Sequence, residues 1–369
     1  MKVFVLAQEV GSNAPGILYE RLLTALSECC TLDLAVALWK PSSDIRYRSL
    51  QTVRLPRMKH WMKRILTVLF KGDPLSRIRR RGIYFPEDTD VILSLCSNDR
   101  FWALEAGEYW KKRSGKPWAC YFVDAIPSPP EWVGNGPYRK SVEAIVRRCA
   151  KSMSYLGGLT EEMLEYEGTM LPPSLKRGVF LPPVSDSSVQ SLPPPTKPPV
   201  FLYAGRIYGR RKAKQVLEAF SSLDFDARLV FAGTDRRVLK EIEACAPRCK
   251  DKISLLEWTD DIEPLISGAT ALLDIDAELE NDVYLSSKLF VYLQYPRPII
   301  SVTGAHSPAR RLLSGEPSVI VCHHNAAEIA EAMRRCVAGN FDYSSRTAIL
   351  EKASASRIAE EMLQEFSAL

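Results

Sequence analysis

No run of about eighteen apolar residues occurs in the 369-residue sequence, so a membrane-spanning helix is not expected. The opening MKVFVLAQEV lacks a basic leader, a long apolar stretch and a cleavage site; it reads as a first strand, not an export signal. Cysteine is present without pattern. Nine residues, an odd number with no framework spacing, point to free thiols in a reducing cytoplasm. Cys245 and Cys249 with His323-His324 lack the spacing of a recognised zinc site. No Gly-x-Gly-x-x-Gly follows the first strand, which disfavours a dinucleotide-binding dehydrogenase.

What is present is an ordinary globular composition, 46% hydrophobic and 25% charged, in a chain too long for one ordinary core. Two domains are therefore expected. The net charge of +5 is unevenly spread. Segment 54–81 (RLPRMKHWMKRILTVLFKGDPLSRIRRR) holds ten Lys or Arg and one acid, Asp73, so the remainder is net acidic. Cations alternate there with Trp61, Met62, Ile65, Leu66, Leu69 and Phe70. Such a helix either lies on an anionic membrane surface or packs its apolar stripe on its own domain. No nucleic-acid reader motif accompanies the charge, so no nucleic-acid partner is expected.

Short apolar runs alternate with helix-period segments throughout. The first half offers strands at 2–7, 32–38, 90–96, 118–124, 152–157 and 178–184, with helices such as 14–26 and 141–151. Residues 182–199 (PPVSDSSVQSLPPPTKPP) are rich in proline and serine and have little to bury, as a linker would. The second half restarts the pattern with strands at 200–205, 227–233, 253–258, 269–276, 298–304 and 318–324. Its helices include 212–223, 237–246 and 325–338, and an amphipathic segment fills 344–366. This alternation predicts βαβ crossovers and a parallel sheet in each half. The expected division is an N-terminal domain 1–185, a linker 186–199, a second domain 200–343, and a helix 344–369 packing back on the first. Two doubly wound domains would face a cleft at their carboxyl edges.

Two stretches carry chemistry. In FLYAGRIYGRRKAKQVLEAF (201–220) a buried strand runs into Gly205-Arg206, and Arg210-Arg211-Lys212 then opens a helix. Arg206 and Arg211, five apart across the loop, can converge on one point, and paired guanidiniums beside a helix start suit a diphosphate. In ENDVYLSSKLFVYLQYPRPII (280–300), Ser286 and Ser287 are candidate helix caps, and Lys288 adds a charge at the positive end of the dipole. An anion is the expected ligand of both.

Gly205-Arg206, Arg211, Leu217-Glu218-Ala219-Phe220, then Ser287-Lys288-Leu289-Phe290-Val291-Tyr292-Leu293 and Arg297-Pro298-Ile299-Ile300 resemble the donor domain of GT-B glycosyltransferases. Within them the retaining glycosyltransferase family 4 type is the nearest in pattern. The match is specific over 200–304 and only pattern-level over the N-terminal half. The resemblance implies an α/β, GT-B architecture of two Rossmann-like domains. It implies Arg206, Arg211 and Lys288 on the donor diphosphate, with Ser286, Ser287 and Gly205 beside them. Glu257, Trp258 and Thr259 would lie where the nucleobase is read. Asp274 and Asp276 then read as strand-end acids, not as a metal-binding Asp-x-Asp, and no obligatory metal or cofactor is expected.

The sequence also departs from that family. A second glutamate on the Lys288 helix commonly contacts the donor ribose, and Val291 stands there. The first glutamate of the pair would fall at Val283, with Asp282 or Glu280 as substitutes if the loop is displaced. Either the ribose is held otherwise, the donor differs, or activity has been lost.

On the N-terminal side, Gly11-Ser12-Asn13 forms a small-residue turn after the first strand, fit for donor phosphate or acceptor, or simply a βα loop. Asp124 ends a strand before the loop AIPSPPEW and is a candidate general base, or a turn former. His306, beyond Gly304 at a strand end, is a candidate donor contact. The expectation is a metal-independent, hexosyltransferase-type enzyme. It moves sugar from a UDP- or GDP-sugar to a glycan or lipid-linked acceptor, in the cytoplasm or at the inner membrane face through 54–81. Alternatives are an epimerase, an inverting transferase, or an inactive donor-binding scaffold subunit.

Overall fold

A computed structural model describes the chain except residues 80, 81, 99, 236, 237 and 260 and the side chains of 78 and 79. Two of the cations of segment 54–81, Arg80 and Arg81, thus lie outside the described residues. So does Arg237, the first residue of the helix expected at 237–246.

The chain divides into two compact units, Met1–Ser185 with Lys352–Leu369, and Asp186–Glu351. The first holds seven strands: β1 (Lys2–Val10), β2 (Thr31–Trp39), β3 (Ser49–Thr52), β4 (Val91–Cys96), β5 (Trp118–Phe122), β6 (Tyr155–Gly158) and β7 (Lys176–Val179). They form one sheet in the order β3-β2-β1-β4-β5-β6-β7. Neighbours are parallel throughout; Val5, for instance, pairs with Leu34 on one side and Leu93 on the other. Crossover helices cover both faces, which is why β4 and β5 are buried along their whole length and read as unbroken apolar runs. Helix α1 (Ala14–Cys29) follows β1, and α2 (His60–Phe70) lies between β3 and β4.

The second unit holds six strands: β8 (Val200–Ala204), β9 (Arg228–Ala232), β10 (Ile253–Leu256), β11 (Ala271–Ile275), β12 (Ile299–Val302) and β13 (Val319–Cys322). Their order is β10-β9-β8-β11-β12-β13, again all parallel. Phe201, Tyr203, Leu229, Phe231 and Leu273 lie in its core with Leu217, Phe220 and Met333 from the covering helices. Both sheets are doubly wound. Chain order reverses between β1 and β4 in one and between β8 and β11 in the other, where such sheets bind ligands at their carboxyl edge.

Three expectations about segments need correction. Residues 186–199 are not a free-standing linker but part of the second unit. Their backbone is tied to it by Gln190 N donating to Gln294 O (2.7 Å) and Thr196 N to Gly268 O (3.2 Å). The single helix expected over 344–366 is two, Arg346–Lys352 and Ala355–Ser367. Between them Val184 N donates to Ala353 O (2.8 Å) and Ala355 N to Val184 O (2.9 Å), so the backbone bonds sideways instead of along a helix. Consequently 346–351 belong to the second unit and only the last helix lies against α1, with the Phe366 ring 6.2 Å from Tyr155. Finally, β3 has no counterpart among the expected strands.

Candidate functional site

The switch point of the second unit is built by three neighbours: the end of β8, the end of β11 and the helix Ser287–Leu293. β8 runs into Gly205, whose φ of +133° is accessible to glycine and strained for any other residue. Gly205 N donates to Ala232 O (2.8 Å), and Thr234 Oγ1 donates to Gly205 O (2.6 Å). The turn is thereby pinned to β9, and a Cβ on it would sit 3.3 Å from Lys288 Cε. The lysine stem lies directly against the glycine.

Asp274 and Asp276 alternate with Ile275, so their side chains leave the same face of the sheet. Both are buried. Lys288 Nζ lies 2.9 Å from Asp274 Oδ1 and 4.5 Å from the Tyr203 ring centre. Burial, the largest single influence, pulls the Lys288 pKa down, but Asp274, Tyr203 and Tyr292 together more than offset it and raise the pKa above its ordinary value. Arg211 Nη2 lies 3.8 Å from Asp276 Oδ1, and its guanidinium rests 5.4 Å from the Tyr208 ring. There too burial lowers the pKa, and Asp276, Tyr208, Tyr203 and Asp274 together raise it above the ordinary value.

The two acids share less charge than their number implies. Burial, then the charge of Asp274, pushes the Asp276 carboxyl up to about 8. The negative charge facing Lys288 and Arg211 is thereby reduced. Three buried polar atoms at this point make no hydrogen bond among the described residues: Arg211 Nε, Asp274 Oδ2 and Asp276 Oδ1. Thr303 Oγ1 reaches Asp276 Oδ2 at 3.3 Å and so helps to orient it. Two convergent cations beside acids of reduced charge, with a guanidinium N–H left to donate, suit an anion.

The helix carrying Lys288 is held at both ends. Leu289, Phe290, Tyr292 and Leu293 are buried, and Tyr292 Oη accepts from Ala204 N at 2.8 Å. Ser286 occupies the N-cap position but makes no side-chain cap bond, contrary to expectation; a backbone bond from Leu289 N to Ser286 O (3.2 Å) closes that turn. Ser287 is the first helical residue. Val291 follows Lys288 by three residues and is half-buried, an apolar neighbour to the ammonium on the same side of the helix.

The remaining expected residues are dispersed. Arg206 is exposed and forms no ion pair among the described residues; its carbonyl accepts from Tyr203 Oη at 3.0 Å. Arg211, not Arg206, is thus the arginine drawn to the acids. Glu257, Trp258 and Thr259 follow β10; Trp258 is exposed, with its ring against Gly233 at the end of β9. Thr259 Oγ1 donates to Asp261 O (2.9 Å), closing its own turn. Asp282 is buried, and its Oδ1 accepts from Val283 N (2.8 Å) and Tyr284 N (3.2 Å), so it shapes the loop. His306 binds that loop through its backbone: Asp282 N donates to His306 O (2.9 Å) and His306 N to Glu280 O (2.8 Å).

In the first unit, Gly11 (φ +77°) packs so closely on β2 that a Cβ would lie 2.1 Å from Lys40 O. Asn13 caps α1, its Oδ1 accepting from Gly16 N at 3.0 Å while its Nδ2 donates to Glu9 Oε2. The Ser12 hydroxyl is buried and makes no hydrogen bond among the described residues. Asp124 follows β5 and is half-buried.

Tyr203, Tyr292 and Thr303 are contributors that motif reasoning missed. One signal for the acids existed: two aspartates at alternate positions in ATALLDID, otherwise apolar, must share one face and need cations there.

No family model matches the sequence, and no curated protein does. Solved structures do. The lipopolysaccharide outer core galactosyltransferase WaaB aligns over 100% of both chains with a TM-score of 0.64 at 15% identity. Sucrose-phosphate synthase from Thermosynechococcus elongatus aligns over 100% of this chain and 98% of its own, with a TM-score of 0.73 at 11% identity. Anabaena HepE, solved with UDP and glucose, aligns over 100% of both chains with a TM-score of 0.70 at 11% identity. A UDP-N-acetylglucosamine 2-epimerase aligns with a TM-score of 0.57 at 11% identity. The chain has the GT-B fold.

Proposed function

We propose that the protein is a glycosyltransferase that moves a sugar from a nucleotide diphosphate to an acceptor hydroxyl. One observation carries the reading: Lys288 and Arg211 converge on Asp274 and Asp276 at the β8/β11 switch point, the carboxyl edge at which a doubly wound sheet takes its ligand. The HepE structure contains UDP and glucose at that fold, which favours a UDP-sugar over other donors.

In the proposed reaction the bond between anomeric carbon and diphosphate oxygen breaks, and its electron pair leaves on the diphosphate. The acceptor oxygen forms the new bond. Its proton passes to the departing diphosphate, if the anomer is retained, or to Asp124. Lys288 and Arg211, with Arg206 from the same loop, would offset the charge developing on the leaving group in place of a metal. Glu257–Thr259 would line the nucleobase, and Gly11–Asn13 remain proposed contacts of donor phosphate or acceptor. A glycan or lipid-linked hydroxyl is the proposed acceptor, with an anionic membrane as a partner through segment 54–81.

Thermal-shift measurements with UDP, GDP, ADP and their sugars test the donor site, because a ligand of the folded state alone raises the melting temperature. No shift with any of them would defeat this reading. Arg206→Ala should weaken nucleotide binding by about 1.5–3 kcal/mol, the loss of a charged hydrogen bond. Unchanged affinity removes Arg206 from the site.

Val291 favours a second reading, a donor-binding subunit without turnover, because valine cannot accept from a ribose hydroxyl. Nucleotide-sugar binding with no transfer across a broad acceptor panel would establish it. Product anomer analysis separates retention from inversion, and conversion of donor without acceptor marks an epimerase.

A further inference from the structure

Helix α2 sits the wrong way round for a helix of a soluble domain. Its inward face is polar: Lys63 and Thr67 are buried, at 7% and 0% exposure. Its outward face is apolar: Trp61, Ile65 and Leu69, spaced one turn apart, are 58%, 50% and 67% exposed. Met62 and Phe70 flank the stripe and are exposed as well.

Specific contacts fix this orientation. Lys63 Nζ lies 3.3 Å from Asp73 Oδ2, which is wholly buried, and 4.8 Å from the Phe101 ring centre. The Arg64 guanidinium lies 4.7 Å from the Tyr138 ring, and Arg148 Nη1 donates to Lys71 O at 3.1 Å. Rotating the helix to bury its stripe would strip Lys63 of its carboxylate. Of the two alternatives for this segment, burial of the apolar stripe on its own domain is therefore not what the fold does.

The surroundings identify what covers the stripe. Arg57, Lys59, Arg64 and Lys71 are exposed beside it, and no acid occurs between Arg54 and Gly72. An apolar stripe with an aromatic end and a cationic border matches the acyl boundary and headgroups of an anionic bilayer. A second copy of this chain fits worse, because a two-fold contact would set this all-cationic border against itself.

We infer that α2 is an interfacial membrane anchor that lies in the plane of an anionic bilayer with Trp61, Ile65 and Leu69 in the acyl boundary. The inference deepens the membrane partner of the proposed function and rests on α2 alone, not on the donor pocket. It also orients the enzyme, since the element held at the lipid belongs to the first unit. A lipid-linked acceptor would then be met from the surface that carries it.

The test is sedimentation of the full chain with vesicles of phosphatidylcholine alone and with about 30% phosphatidylglycerol added. Binding should require the anionic lipid and weaken as added salt shortens the screening length from about 10 Å. Leu69→Asp and Ile65→Asp should each weaken binding about tenfold or more. Both side chains are exposed, so circular dichroism and the nucleotide-induced thermal shift should stay unchanged. No binding to anionic vesicles, or wild-type binding by Leu69→Asp, overturns the inference. A wild-type dimer that Leu69→Asp dissociates, without vesicle binding, would make the stripe a subunit interface instead. A nucleotide shift without vesicle binding separates failure here from failure of the donor site.

Discussion

Lys288, partly exposed, and Asp274, fully buried, form an ion pair, 2.9 Å from Nζ to Oδ1, at the point where the second sheet reverses its strand order. The pair explains why a lysine tolerates this position before any ligand arrives. It also gives the carboxylate a positioning role: Asp274 sets where the ammonium points, and in the proposed donor site it would act through Lys288. Removing one partner strands the other. Asp274→Asn should therefore cost about 3 kcal/mol of stability, the scale for breaking a buried pair. Asp274→Asn with Lys288→Met should recover much of it, as a double-mutant cycle in urea would show. Additive losses would mean that the two residues are not coupled.

Asp276 gives a pH signature. Its carboxyl is raised from an ordinary 3.8 to about 8, by burial first and Asp274 second. Between those values the folded state holds a proton that the unfolded state has released, so stability falls as pH rises through that window. Above about 8 the contribution is gone. The slope has an upper limit of about 1.4 kcal/mol per pH unit. Asp276→Asn should flatten it, read from urea midpoints at about pH 5 and about pH 8. An unchanged slope would assign it to other groups.

Gly205 is the backbone counterpart of these charges. At φ +133° an alanine is strained, and its Cβ would press on Lys288 Cε at 3.3 Å. Gly205→Ala should destabilise by about 1–3 kcal/mol. It should also weaken UDP binding in calorimetry, because the lysine stem must move. Wild-type affinity would show that this stem has room to spare.

Much of this was legible in the sequence, and the rest fails for identifiable reasons. Eleven of the other twelve strands fall where apolar runs were read, chiefly because strands covered by helices are spelled in Val, Ile, Leu and Phe; β7, the mostly exposed edge strand KRGV, meets its expected run 178–184 only at Gly178 and Val179. β3 is four residues of SLQT at the sheet edge, none of them buried, so neither alternation nor a run betrays it. Arg211 and Lys288 were found from their helix starts, but their carboxylate partners were set aside as strand-end acids. Position i, i+2 predicts a shared face and not which cation occupies it. The outward apolar face of α2 could not be chosen from its periodicity, since an amphipathic helix reads the same whichever side is buried. Asp73, which decides it, is remote from Lys63 in helical register.

Arg346 ties the Lys288 helix to the sheet and supplies the last prediction. It is fully buried and spends its guanidinium on backbone carbonyls: Tyr295 (2.5 Å) and Tyr292 (3.4 Å) at the end of that helix, Arg297 (2.8 Å) and Ser318 (3.2 Å) beyond it. Its Nε donates to Ser318 Oγ at 2.7 Å. A lysine carries the same charge but lacks the planar fork, so it cannot serve acceptors on several sides. Arg346→Lys should lose about 2 kcal/mol or more, from buried carbonyls left unpaired. The Lys288 helix would loosen with it, so the Kd for UDP should rise while vesicle binding stays as in the wild type. Full stability in Arg346→Lys would show that charge, not fork geometry, holds the helix end.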